Sequence, residues 1–166
     1  MTLNKQQLDQ LYRYCYVLTT DCDNAYDLLQ TAVQKYLEKP IRQSAATLPY
    51  IRKIIRNQFI DDARQAKCIA FEPIENTETI ALDTMTLDNI LINEELANIV
   101  WSVLDAAERE TMYLCSIEGY TAAEISAETN VPRGTVLSRI YRIRHKVMQV
   151  FDQQGISMGR NKVGEE

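Results

Sequence analysis

From Leu8 to Tyr36 apolar side chains return every third or fourth residue, and nowhere along the chain do apolar and polar residues alternate as a half-buried strand requires. That spacing restricts the fold to helices packed on helices. Leu8, Leu11, Tyr12, Cys15 and Leu18 make a first stripe. Ala25, Leu28, Leu29, Ala32, Val33, Tyr36 and Leu37 make a stronger second one, with Asp23 in position to cap it. The stretch "KPIRQSAATLP" carries two prolines and small polar residues, which predicts a loop over about 40–48 and a third helix over about 50–67. Residues 68–86 hold no sustained period and read as an extended linker. Helical spacing resumes with Ile90, Ala97, Val100, Trp101 and Leu104, after which Asp105 and Glu108 have the spacing of a capping pair for a helix to about Ile117. The expected class is all-α: two small helical modules, 5–67 and 87–152, the linker 68–86 between them, and a frayed tail 153–166.

Charge follows the same divisions. The formal net charge is −5, but residues 1–67 carry +3, residues 68–104 carry −7 with no basic side chain, residues 105–149 are balanced, and the remainder carries −1. The acidity is concentrated in the middle and does not oppose nucleic-acid binding on either side. No apolar run reaches 18 residues and no basic-then-apolar leader opens the chain, so no membrane insertion is expected and the cytoplasm is the default compartment. Cys15, Cys22, Cys68 and Cys115 form no CxxC pair and His145 is the single histidine, which predicts reduced, mostly buried thiols and no metal or cofactor. With no Gly-rich phosphate loop and no nucleophile-histidine arrangement, the expectation is a protein that is not an enzyme.

The strongest local signal is "VPRGTVLSRIYRIR", Val131 to Arg144, with four arginines and no acid. Upstream, "TAAE" from Thr121 to Glu124 has the spacing of a capping box, and the short helix it opens would end at Asn130, which tolerates left-handed backbone. Pro132 then fits a first helical turn. A short helix, a tight turn and a longer basic helix make a helix-turn-helix, whose second helix enters the DNA major groove. At 100° per residue Val136, Ile140, Ile143, Val147 and Val150 share one face, while Thr135, Ser138, Arg139, Arg142 and Lys146 share a polar flank and Arg133 lies at the helix start. Such a flank is also what a solvated surface helix presents. The absence of acids and the preceding capped helix favour DNA, with Arg139 suited to guanine edges and Arg133 or Lys146 to phosphate.

Taken together, Leu104, Arg109 and "EGYTAAEISAETNVPRGTVLSRIYRIR" resemble region 4 of the bacterial sigma-70 initiation factors, with Asp105 at a common proline and Ile143 at a usual alanine. "NAYDLLQTAVQKYL" and "YIRKIIRNQFIDDAR" resemble region 2 of the same family. With these two regions alone, the resemblance is to the compact extracytoplasmic-function (group 4) sigma factors. It implies binding to core RNA polymerase, through its β′ coiled coil and β flap, and to promoter DNA. Region 4 would read the −35 element with Arg133, Thr135, Ser138, Arg139, Arg142 and Lys146. Region 2 would recognise and melt the −10 element: Lys39, Arg42, Gln43 and Ser44 in a base-selecting loop, with Tyr50, Lys53, Arg56 and Asn57 beside it. For Tyr50, base stacking and plain core packing both stand. Asp27, Leu28, Gln30 and Thr31 fall on the polymerase-binding helix, and the acidic connector would thread a basic channel of the polymerase.

This chain departs from the family where that helix is usually acidic: Asn24, Tyr26 and Thr31 stand where Asp or Glu is usual. Either a matching change in the polymerase compensates, or phosphorylation of Thr31, or of nearby Thr19 or Thr20, by a Ser/Thr kinase supplies the missing charge. An anti-sigma factor is the family's commoner regulator. The rival readings are a stand-alone helix-turn-helix regulator binding as a dimer, a helical interaction protein, and, more remotely, an enzyme.

Overall fold

The computed structural model describes residues 3–38, 47–66 and 94–155. Seven helices account for nearly all of them: α1 (Lys5–Thr19), α2 (Cys22–Glu38), α3 (Thr47–Gln65), α4 (Glu94–Val103), α5 (Ala106–Ser116), α6 (Ala122–Thr129) and α7 (Arg133–Gln153). The described residues are all-α. The expected linker 68–86, the base-selecting loop residues Lys39, Arg42, Gln43 and Ser44, and all but the start of the expected tail lie outside the described residues.

Helix starts follow local chemistry. Asn4 and Gln7 close a reciprocal capping box on α1, with the Gln7 N–H donating to Asn4 Oδ1 at 2.8 Å. The cap of α2 is Asp21 and not Asp23: its carboxylate accepts from the Asn24 N–H at 2.8 Å, and Asp23 lies inside the first turn, where its charge still suits the helix dipole. Helix α3 starts at Thr47, earlier than the proline pattern predicts, because Pro49 falls in the first turn, where no N–H is needed. Asp105 with Glu108 and Thr121 with Glu124 form the two capping boxes expected of them. Asn130 ends α6 in the left-handed conformation, φ 56°, as anticipated. Pro132 stands one residue before α7, in extended backbone, and directs the chain into the helix rather than forming its first turn.

Two apolar clusters hold the helices. One joins Leu11, Tyr14, Leu28, Ile51 and Ile55 of α1–α3 to Tyr113, Leu114, Ile125, Val136 and Ile140 of α5–α7. The other packs α4 on α7 through Leu96, Val100, Leu104, Met112, Ile143, Val147, Val150 and Phe151. Fully burying a side chain such as Ile51, Ile55 or Leu114 stabilises by about 1.5–3 kcal/mol. The whole predicted stripe of α7, from Val136 to Val150, is inside. Of the described thiols Cys15 is buried, Cys115 half-buried and Cys22 exposed at the start of α2, so Cys22 departs from the expected burial, and Cys68 lies outside the described residues. Burial pushes the Cys15 thiol up to about 12, so it is uncharged and a poor nucleophile. Among the described residues no helix is long and apolar enough to cross a membrane, and no three metal-ligating side chains cluster.

Candidate nucleic-acid interface

The helix-turn-helix forms as the caps dictate. The Thr121 side chain accepts from the Glu124 N–H, and Glu124 accepts from the Thr121 N–H and hydroxyl at 2.8 Å each. Those bonds favour the charged carboxylate and hold Glu124 below the usual range. Ser126 donates to the Val131 carbonyl at 2.6 Å, which ties α6 to the turn that launches α7.

Helix α7 presents its polar residues in two directions. Arg133 is open at the helix start; Thr135, Ser138 and Arg142 are half-buried, and Ser138 donates to the Gly134 carbonyl at 3.0 Å. Arg139 and Lys146 turn back onto the protein. Burial pulls the Arg139 guanidinium below its ordinary value, against the attraction of Glu110 and Asp105. Lys146 Nζ donates to Glu108 Oε2 at 2.6 Å, and Glu108 is almost completely buried beneath it. The outward face between Arg133 and the end of the helix carries Tyr141 and His145 instead, with ring centroids 6.5 Å apart. Sequence spacing does not single these two out, because they fall outside the arginine-bearing flank.

Helix α3 behaves similarly. Lys53 and Asn57 are exposed, and Tyr50, 36% exposed, leans on Tyr36 with centroids 6.3 Å apart, so it has both an apolar support and a free face. Arg56 points inward, its Nε 3.0 Å from Glu110. Arg52, which the sequence leaves unremarked, is 3% exposed and is the most enclosed cation of the described chain. Its Nε donates to Glu128 at 2.5 Å, one Nη to the Tyr120 hydroxyl at 2.5 Å and the other to Glu118 at 3.5 Å. Burial opposes its charge, but Glu128 and Glu118 outweigh burial and raise its pKa. A signal was present in the pairing of Arg52 and Arg56 at i, i+4, which puts two guanidinium groups on one face of α3.

On α2, Asp27 and Gln30 are exposed, Thr31 is half-exposed with its hydroxyl donating to the Asp27 carbonyl at 2.9 Å, and Leu28 lies in the core. Beside them a groove of roughly 740 Å³ runs between α1 and α2, lined by Leu8, Tyr12, Tyr26, Leu29, Val33 and Leu37. Tyr26 and Leu37 are 58% and 65% exposed, large apolar surfaces for a helix whose neighbours are polar.

Residues 102–147 match the family model of sigma-70 region 4. Over 150 residues, 87% of the chain, it is 29% identical to the extracytoplasmic-function RNA polymerase sigma factor SigE of Mycolicibacterium smegmatis, of whose length it spans 58%. It is 25% identical over 145 residues, 86% of the chain and 71% of the relative, to the sigma factor SigM of Mycobacterium tuberculosis. Its fold matches that of the sigma factor RpoE from Bartonella quintana, solved in complex with the anti-sigma factor NepR, with a TM-score of 0.61 at 20% identity, covering 89% of this chain and 92% of that one.

Proposed function

We propose that this chain, a relative of the extracytoplasmic-function sigma factors, is itself an alternative sigma factor that binds core RNA polymerase and directs it to promoters. One observation carries the reading: similarity to such factors runs over 87% of the chain, through α1–α3 as well as through the helix-turn-helix. A stand-alone regulator needs only the latter. In this reading residues 5–67 serve as region 2, 87–152 as region 4, 68–86 as the connector and 153–166 as a tail. The −35 element meets Arg133, Thr135, Ser138, Arg139 and Arg142, with Tyr141 and His145 beside them; Lys146 joins once Glu108 releases it. The −10 element meets Lys39, Arg42, Gln43 and Ser44, then Tyr50, Lys53, Arg56 and Asn57, with the Tyr50 ring available for base stacking.

The polymerase surface is the outer face of α2, with Asp27, Gln30 and Thr31 on it and Leu28 supporting it from the core. The exposed Tyr26 and Leu37 and the groove beside them offer apolar contact on a face where Asn24, Tyr26 and Thr31 leave few acids. A phosphate on Thr31 would add about −1.5 to −2 to this acid-poor face. Thr20, exposed in the α1–α2 turn, is the more accessible acceptor of the two. An anti-sigma factor of the kind bound by the Bartonella protein is the other regulator the reading invites.

The test is binding of the unmodified chain and of Thr31→Asp to core RNA polymerase, followed by run-off transcription from the chain's own upstream region. A promoter-specific transcript from the unmodified chain supports the sigma assignment without phosphorylation; a transcript from Thr31→Asp alone supports both. A specific DNA shift by the free protein, with no polymerase binding by either form, supports the stand-alone regulator.

A further inference from the structure

Helix α2 has an outer stripe that its own bundle leaves unfilled. Tyr26, Gln30, Val33 and Leu37 follow one another at intervals of four, three and four residues. At 100° per residue all four fall within about 60° of one another, the spacing of a coiled-coil contact line, along which one helix packs on another. The bundle does not use it. Gln30 is exposed and Val33 half-buried, while Tyr26 and Leu37, at 58% and 65%, are the two most exposed large apolar side chains of the described residues. Tyr12 of α1 supports the Tyr26 ring on one side, with centroids 5.8 Å apart. The groove between α1 and α2 runs along the same side of the helix.

The stripe is its own complement. With α2 set antiparallel on a second copy of itself, Tyr26 meets Leu37 and Gln30 meets Val33, because both pairs share one midpoint, between Thr31 and Ala32. A two-fold axis through that midpoint buries Tyr26 and Leu37 of both copies along eleven residues of helix, about 16 Å. Charge fits the same axis. Helix α1 runs antiparallel to α2, so counting from the Tyr12–Tyr26 contact sets Lys5 level with Val33 and Asp9 level with Leu29. Both charges line the groove, and neither is in an ion pair among the described residues. The two-fold brings Lys5 of each copy within about one residue rise, along the helix axis, of Asp9 of the other. Asp27 and Glu38 fall about 90° or more off the stripe and stay in solvent.

We propose that the α1–α2 face is a homodimer interface: α1 and α2 pack antiparallel on the same helices of a second copy, with the two-fold axis between Thr31 and Ala32. An unrelated amphipathic helix would cover the apolar stripe as well, but it has no reason to match both the shared midpoint and the exchange of Lys5 with Asp9. The dimer does not rest on the sigma-factor reading. Its consequence does: the stripe carries Gln30 and borders Asp27, so the dimer and core polymerase exclude one another.

The test is sedimentation equilibrium of the full chain under reducing conditions. From micromolar concentration upwards the weight-average mass is expected to climb from 19.1 kDa towards twice that value. Leu37→Glu, at a position the monomer leaves exposed, is expected to weaken the dimer about tenfold or more, because two charges enter an apolar contact. Lys5→Asp sets acid against acid across the axis and is expected to weaken it about fivefold, and Lys5→Asp/Asp9→Lys, which exchanges the pair, to restore it. Far-UV circular dichroism checks that each variant keeps its helices. A mass of 19.1 kDa at every concentration overturns the proposal. So does a dimer indifferent to Leu37→Glu, or one that the exchanged pair fails to restore, since either places the association on another surface. A dimer that meets both tests and is dissolved by core polymerase supports the interface and its consequence. One that meets both while no form of the chain binds core polymerase supports the interface and rejects the sigma-factor reading.

Discussion

Helices α2 and α3 lie side by side in one small bundle, yet their outer surfaces are in opposite states. The outer face of α2 is open: Tyr26, Asp27, Gln30 and Leu37 are exposed, and nothing from α4–α7 covers them. The face of α3 that carries Arg52 and Arg56 is closed under Glu110, Glu118 and Glu128. The difference lies in what each face has left to offer: the α2 face keeps exposed apolar side chains without a cover from α4–α7, whereas the arginines of the α3 face are already committed to carboxylates of the same chain.

Substitutions should separate the two faces. Glu110→Ala strands the Arg56 guanidinium and the Tyr14 hydroxyl inside the protein and should cost about 3 kcal/mol in urea unfolding, the scale for breaking a buried pair. Arg52→Ala should cost somewhat less, about 2 kcal/mol, since Glu118 keeps Gln10 and Tyr113 as donors. On α2 the same assay should register almost nothing: Tyr26→Ala and Leu37→Ala should stay within about 0.5 kcal/mol, while polymerase affinity falls. A large loss of stability from either would mean that this face is structural and the comparison mistaken.

Alkaline titration sharpens the contrast. Burial, with Glu110 beside it, holds the Tyr14 phenol well above its ordinary value. Its folded pKa is raised, so the stability it contributes is complete below the unfolded value near 10 and is lost as pH rises beyond that. Unfolding free energy should therefore decline above about pH 10, and Tyr14→Phe should flatten the decline. The smallest effect concerns thiols: under native conditions a maleimide should modify Cys22 first and Cys15 last, followed by mass spectrometry.

What could be read beforehand depended on whether the signal was local. The buried stripe of α7 is a matter of period, and Val136, Ile140, Ile143, Val147 and Val150 fall where spacing puts them. The Asp105 and Thr121 capping boxes are matters of three-residue spacing and were equally legible. The fate of the charges was not. Glu110 and Glu128 look like ordinary solvated acids on short helices, and only contacts 54 and 76 positions away reveal them as buried partners of Arg56 and Arg52. Arg139 misleads for the same reason. Its angular position marks a basic flank, but that flank faces α3 and α5 as much as it faces solvent. Asp21 displaced Asp23 as a cap because the extent of the α1–α2 turn, one residue either way, decides which carboxylate meets a free N–H.

That same turn contains Thr20, a β-branched residue with φ 57° and ψ 17°, a conformation usually left to glycine or asparagine. Holding it there costs on the order of 1 kcal/mol or more, and the Tyr16 carbonyl and the hydroxyl bond to Thr19 are what keep it in place. In mechanical terms the corner joining α1 to α2 is a stiff one: the two helices that border the groove meet through a single residue held in a narrow well of backbone conformation. Thr20→Gly should remove the conformational cost and widen that well, leaving the same corner with more freedom to bend.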